Sequence, residues 1–261
     1  MLSPQAHALL SALVDARGPL LVATDLDGTL APIVERPADA RVPAATLAVL
    51  DRLAARLRMA VITGRDLNTA RRLVPCEGVT IIGSHGLEAS FDHPLLPEID
   101  RLHLAPALEA VEQRVMSAVP AAFLHIERKA ISTAFHFRND TSLGPAIRAA
   151  LTPLPAELRL REGRMVYEVL PNADGGKDRA LLALANHFKT HSLLALGDDL
   201  TDVAMFRAAA SLRERGDHVL LAGVGGSPET PAAILELADV VLDSTDDARE
   251  LLELLARHLG A

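Results

Sequence analysis

Short, unbroken apolar runs closed by turn-forming residues recur along the chain, at Leu20–Ala23, Met59–Ile62, Thr80–Ile82, Leu193–Leu196, Val219–Ala222 and Val240–Leu242. Runs of this length without polar alternation suit strands that are buried on both faces. Between most of them, apolar positions recur at helical spacing over Ala44–Leu57, Leu67–Leu73, Arg179–Phe188, Val203–Ala210 and Asp246–Leu259. Strands alternating with helices predict an α/β fold with a doubly wound, mainly parallel, Rossmann-like sheet.

The middle of the chain has a different pattern. Pro106–Val119 and Ser142–Leu151 read as helices, Phe123–Glu127 and Ile131–Phe137 as adjacent strands, and Leu158–Glu162 and Met165–Leu170 as a hairpin around Gly163. This α-β-β-α-β-β order makes antiparallel pairs that do not merge easily with a parallel sheet. It predicts a smaller inserted domain over 104–170, with the core formed by 1–103 and 171–261; a length of 261 residues leaves room for both. Ala31–Pro43, with its prolines, reads as a loop.

Composition then removes whole classes of function. With 49% hydrophobic residues the chain can bury a core, and a net charge of −8 repels nucleic acid and anionic lipid. Aromatic residues make up 3%, with no Trp and only Tyr167 as tyrosine, so there is little material for stacking bases. Cys76 is the single cysteine, which excludes an intrachain disulfide, and it is expected to be buried. No apolar run approaches the ~18 residues of a membrane-spanning helix, and Met1–Ala12 lacks the basic and long apolar regions of a secretion signal. The expectation is a cytoplasmic protein, a monomer or weak homo-oligomer, whose function lies in polar chemistry on a small molecule.

Two strand ends carry that chemistry. In Leu20–Leu30, an apolar strand runs into Asp25 and Asp27, then Gly28 and Thr29. Residues two apart in extended chain point to the same side, and open α/β sheets bind ligands at the carboxyl ends of their strands. Two such acids suit a nucleophile beside a general acid/base, or a magnesium site; Asp and Gly also make plain turns. Gly28 permits a sharp turn, and Thr29 offers a hydroxyl to an oxyanion. The run Leu194–Phe206 repeats the pattern, ending in Gly197, Asp198 and Asp199, with Asp202 placed to cap or begin a helix. If the two strands are neighbours, Asp25, Asp27, Asp198 and Asp202 converge, and such a set does not stay ionised without a cation. Magnesium, which prefers oxygen ligands and bridges carboxylates to phosphate, is the natural one.

Donors for a phosphate are also available. The strand at Met59–Ile62 ends in Thr63-Gly64-Arg65, where a hydroxyl and backbone N–H groups at a helix start form an anion seat. Lys177 follows Gly175-Gly176 at a helix start, electrostatically the wrong end for a lysine with no other task. Gly223-Val224-Gly225-Gly226 fails as a dinucleotide fingerprint because Pro228 occupies the third glycine position, and it reads as a sheet-end loop.

In order, Asp-x-Asp-Gly-Thr-Leu at 25–30, Thr63, Lys177 and Gly-Asp-Asp-x-x-Asp at 197–202 resemble the four motifs of the haloacid dehalogenase superfamily of phosphatases. The resemblance implies that Asp25 is the nucleophile, forming an aspartyl-phosphate, and that Asp27 protonates the leaving alcohol and then activates water. It implies that Thr63 and Lys177 hold the phosphoryl oxygens, with Gly28, Thr29, Gly64 and Arg65 in the same seat. Magnesium is then held by Asp25, the backbone carbonyl of Asp27 and Asp198, supported by Asp202 and Asp199.

Further segments narrow the family. Gly83-Ser84-His85-Gly86-Leu87-Glu88, Glu127-x-Lys129, His136-Phe137-Arg138 and Glu168-x-x-Pro171 resemble the trehalose-6-phosphate phosphatase family, from residue 20 nearly to the end. The insertion resembles that family's substrate-selecting cap, which makes His85, Glu127, Lys129, His136, Arg138 and Glu168 the expected sugar-binding residues. A polar strand face of this kind fits a polyol, because a sugar needs many directed hydrogen bonds. Two positions depart from the family pattern: Asp178 follows Lys177 where glycine is usual, and Val203 replaces a glutamate. The rival readings are a phosphatase of the same architecture for sucrose phosphate, glycosyl-phosphoglycerate or a hexose phosphate, and a non-catalytic sugar-phosphate sensor. The sensor reading predicts loss of Asp25 or Asp27, and both are present.

Overall fold

The computed structural model describes residues 2–261 apart from 17, 35, 121–122, 164 and 227–229, and without the side chain of residue 37. The chain divides into two compact units, residues 1–97 with 175–261, and residues 98–174.

The first unit is built on a seven-stranded sheet. Its strands are β1 (Leu20–Thr24), β2 (Arg58–Ile62), β3 (Val79–Gly83), β4 (Glu88–Ala89), β9 (Ser192–Gly197), β10 (His218–Val224) and β11 (Val240–Leu242), in the order β11-β10-β9-β1-β2-β3-β4. All neighbours are parallel except the β3–β4 pair. Alternate residues of each buried strand serve opposite faces. Val22, Val61, Leu194 and Leu220 pack under α1 (Pro4–Asp15), α2 (Ala44–Ala54), α3 (Leu67–Leu73) and α9 (Thr245–His258). Leu21, Ile62, Leu193 and Leu221 pack under α6 (Lys177–His187), α7 (Leu200–Glu214) and α8 (Ala232–Leu237). Burying both faces explains the unbroken apolar runs, each fully buried leucine contributing roughly 2 kcal/mol before entropy is counted.

Three elements of this unit were not expected. Ser3 accepts the Ala6 N–H at 3.1 Å and so starts α1 just before Pro4, β4 has only two residues, and α8 only six. Winding runs one way from β1 to β3 and the other from β9 to β11, so the direction reverses between β1 and β9, where such sheets open a crevice at their carboxyl edge.

The second unit carries an antiparallel sheet of β5 (His125–Arg128), β6 (Thr133–His136), β7 (Leu158–Gly163) and β8 (Val166–Pro171), ordered β5-β6-β8-β7. The helices α4 (Arg101–Ala118) and α5 (Gly144–Ala150) cover one face, burying Phe135, Val169 and Leu158 beneath Val111, Val115 and Ile147. The other face keeps its polar residues. This unit begins at 98 and ends at 174 rather than at 104 and 170. The Asp100 carboxylate accepts the Leu102 and His103 N–H groups and starts α4 at Arg101, leaving Pro106 inside the helix instead of at its first position. At the other end, Asn172 stays tied to this unit by its N–H donating to the Glu157 carbonyl at 2.8 Å. Among the described residues, no helix is long and apolar enough to cross a membrane.

Candidate active site

β1 and β9 lie side by side in register, Thr24 opposite Leu196, and the Asp25 N–H continues the ladder onto the Leu196 carbonyl at 3.0 Å. This pairing delivers Asp25 and Asp198 to the same place. Gly28, with φ of 84°, turns the chain over Asp198 so closely that a β-carbon at 28 would lie 2.0 Å from Asp198 Oδ2; no other residue fits there. The Thr29 hydroxyl donates to Asp198 Oδ1 at 2.9 Å and so orients that carboxylate.

Lys177, the first residue of α6, is only 2% exposed. Its ammonium lies 2.7 Å from Asp25 Oδ1 and 2.8 Å from Asp202 Oδ1, which accounts for a lysine at the unfavourable end of a helix. Asp202 is fully buried, and its second oxygen accepts the Asp198 and Asp199 N–H groups at 3.1 Å each. Asp199 has a structural task at the start of α7. Its Oδ1 accepts the N–H groups of Thr201 and Asp202 and the Thr201 hydroxyl, so it caps α7 and stays half-exposed. Asp202, at the third helical position, closes the same capping box.

The charges in this cluster do not balance. Asp25, Asp198 and Asp202 bring carboxylate oxygens within 4.8 Å of one another, the metal-capable group among the described residues. Three carboxylates against the single Lys177 ammonium carry a formal surplus of two negatives when all are ionised. Burial pushes Asp25 up to about 7, with Lys177 pulling it back, and burial pushes Asp198 up to about 7 against the Thr29 hydrogen bond. Burial also raises Asp202, reinforced by the Asp25 charge. On Lys177, burial favours the neutral amine, but Asp25 and Asp202 outweigh it and hold the ammonium charged. A hard divalent cation with oxygen ligands supplies the missing charge, so the donor set fits one.

Around this cluster, Thr63 follows β2 and is 1% exposed, its hydroxyl accepting the Arg65 N–H at 3.1 Å. The Arg65 guanidinium binds the Asp27 carboxylate through two hydrogen bonds of 2.6 and 2.7 Å. Asp27 is thus turned onto Arg65, while Asp25 is turned onto Lys177. His85 belongs to this unit and not to the polar face of the second: its ring lies against Gly64, where a β-carbon would approach Nε2 to 2.3 Å.

In the second unit, the residues expected to bind sugar gather on the face without helices. Glu168 is 8% exposed; its Oε1 accepts Lys129 Nζ at 3.1 Å and the Ser132 hydroxyl at 2.8 Å, and Arg161 binds Oε2. Burial would raise Glu168, but Lys129 and Arg161 hold it down at about 2. The Glu127 carboxylate accepts from His136 Nε2 at 3.0 Å, and that contact lowers its pKa. Arg138 lies exposed beyond the end of β6, outside this network. Ser132 and Arg161 had no motif to mark them; Arg161 was detectable only as a same-face neighbour, since it pairs with Glu168 in the β7–β8 register. Cys76 is buried, its thiol pushed up to about 12 by burial and by Asp51.

A doubly wound sheet with acids at the β1 and β9 ends, a lysine at a helix start and an inserted antiparallel unit defines the haloacid dehalogenase-like class of fold. The C-terminal domain of C. albicans trehalose-6-phosphate phosphatase superposes with a TM-score of 0.69 at 23% identity, covering 96% of each chain. A haloacid dehalogenase-like hydrolase from Bacteroides thetaiotaomicron superposes at 0.63 with 14% identity, covering 90% of this chain and 99% of that one. A trehalose-phosphatase family model matches residues 23–232, and the chain belongs to that family. Trehalose-phosphate phosphatase of Mycolicibacterium paratuberculosis is 32% identical over 249 residues, or 90% of this chain; the chain spans 61% of that relative's length.

Proposed function

We propose that this protein hydrolyses trehalose 6-phosphate to trehalose and phosphate, using magnesium and a covalent phosphoaspartate. The observation that carries the reading is the buried Asp25–Lys177–Asp202 chain beside Asp198, with two negative charges uncompensated. Family membership and the 32% identical relative support the choice of substrate.

In this reading Asp25 attacks phosphorus in line, forming its own O–P bond as the bond to the sugar oxygen breaks. Lys177 keeps the attacking carboxylate oriented and balances part of the charge of the transferring group. Asp27 leaves Arg65 to give a proton to the departing sugar oxygen, then takes one from the water that cleaves the phosphoaspartate. Arg65 then meets phosphoryl oxygens beside the Thr63 hydroxyl. Asp25, Asp198 and the Asp27 backbone carbonyl would hold magnesium, which would supply the missing positive charge. Asp202 acts by fixing Lys177 and the Asp198–Asp199 backbone, and Asp199 by capping α7.

Sugar recognition falls to the second unit, through Glu127, Lys129, His136, Arg161 and Glu168. The test is phosphate release from a panel of sugar phosphates, with magnesium and with chelator. Trehalose 6-phosphate is expected to be turned over fastest and only with metal. Equal rates on sucrose phosphate, glycosyl-phosphoglycerate or hexose phosphates would move the assignment to those substrates, and no release from any would leave the sensor reading.

A further inference from the structure

The segment after β3 carries three consecutive residues with positive φ. Ser84, His85 and Gly86 have successive φ values of 50, 52 and 90°, a left-handed run that costs roughly 1 kcal/mol or more at each non-glycine residue. Two such residues together persist only where the surroundings hold them. The Ser84 N–H donates to the Arg65 carbonyl at 2.7 Å and the His85 N–H to the Thr63 carbonyl at 2.9 Å, so one side of the segment is strapped to the turn after β2. On the other side, a β-carbon at Gly86 would lie 2.6 Å from the Gly176 carbonyl, the residue before Lys177.

What locks the segment is Glu88, a carboxylate only 3% exposed in β4. Its Oε2 accepts the Ser84 hydroxyl at 2.7 Å and the Leu67 N–H, the first of α3, at 3.2 Å. One buried oxygen therefore joins the left-handed segment to the helix that follows Arg65. We propose that Glu88 is a positioning residue: through Ser84 and Leu67 it clamps residues 84–86 as a wedge that sets the distance between the Thr63–Arg65 turn and the Gly176–Lys177 helix start. Glu88 acts through Ser84 and Leu67, to which its carboxylate is bonded. The wedge acts on two short turns, one after β2 and one before α6.

This inference rests on the phosphatase reading for its kinetic arm and not for its structural arm. The experiment compares Glu88→Ala, Glu88→Gln, Ser84→Ala and Gly86→Ala with the unaltered protein. Readouts are hydrogen exchange of peptides spanning 63–67, 84–88 and 175–180, inorganic phosphate affinity with magnesium, and hydrolysis of a small aryl phosphate. For Glu88→Ala, exchange is expected to quicken at least tenfold in all three peptides. Phosphate binding should weaken about tenfold, with kcat for the aryl phosphate down 10–100-fold and KM changed less. Glu88→Gln keeps an acceptor oxygen and is expected to recover most of the loss. Should Glu88→Ala fail to fold, Ser84→Ala, which removes a single bond, and Gly86→Ala, which pushes on Gly176, give the same signature at 3–30-fold. Faster exchange confined to 84–88, with phosphate affinity and kcat unchanged, overturns the proposal. If the unaltered protein hydrolyses no phosphate ester, the functional reading fails, and exchange at 63–67 and 175–180 still decides the wedge.

Discussion

The two polar clusters of this molecule both set carboxylates against cationic side chains, but their charge accounts differ. At the carboxyl edge of the first unit, three buried carboxylates face one lysine, leaving two negative charges. On the open face of the second unit, Glu127 and Glu168 face Lys129 and Arg161 beside His136, and the formal charges cancel. A buried surplus of charge asks for an ion, because isolated buried charge is costly and is relieved by a counter-charge or a proton. A balanced set of donors and acceptors asks for a neutral polar ligand that exchanges hydrogen bonds without changing the charge. A phosphorylated sugar with magnesium has both kinds of group.

The sharpest way to break this comparison is to alter the surplus. Asp25→Asn is expected to abolish phosphate release, by 10⁴-fold or more, because an amide cannot form the phosphoaspartate. The same variant should be at least as stable as the unaltered protein without metal, since one of the crowded charges is gone. Phosphate-release assays and thermal melts check the two halves, and full turnover by Asp25→Asn removes the covalent route. Next in size, chelation should stop turnover, and magnesium should raise the melting temperature of the stripped protein by several degrees through preferential binding to the folded state. Asp198→Ala should abolish both responses. If chelator leaves rate and melting temperature unchanged, the surplus is not balanced by a metal.

Smaller effects are expected from the balanced cluster. Lys129→Ala and Glu168→Gln should lower kcat/KM for trehalose 6-phosphate by roughly 10–1,000-fold, the ~1.4–4 kcal/mol of charge-assisted contacts. Hydrolysis of a small aryl phosphate should change less than twofold, and equal loss on both substrates would show that these residues do not select the sugar. The smallest expected effect is on stability with pH. Glu168 sits at about 2 in the folded protein against roughly 4.3 when unfolded, so its contribution is present above pH ~4.5 and disappears as pH falls toward 2. The gap between the unaltered protein and Glu168→Gln should be about 1–3 kcal/mol at pH 7, reduced by the exposure of Arg161, and should shrink below pH ~4 and close as pH falls to ~2 in denaturant titrations.

The clusters also differ in how much of them could be read from the chain. Asp25 and Asp198 end apolar strands, and once β1 and β9 were read as buried strands their meeting needed only adjacency, which the sheet order supplies. Lys177 was legible as a cation at the wrong end of a helix. The role of Asp199 was not, because an aspartate before a helix is equally good as a ligand and as an N-cap, and only the bonds from Thr201 and Asp202 separate the two. In the second unit, the strands were placed to within two or three residues, but Arg161 and Ser132 reach Glu168 across strands, through register that no local pattern encodes. The start of α4 was misread at Pro106 because proline favours a first helical position, whereas Asp100 was already serving as the cap.

The hydrogen bond from Thr29 to Asp198 closes a loop of 169 positions. On a ribosome adding about 5–20 residues per second, the strand bearing Asp25 waits roughly 10–30 s for the neighbour that completes its second edge. In that interval the antiparallel unit of 98–174 has all its strands and can fold on local contacts, while the central strand of the parallel sheet has one open side. The insertion is thus an early folding island inside a late-closing core. The last partners to arrive, Lys177 and then the β9 strand with Asp198, bring the cation and the backbone that let Asp25 be buried.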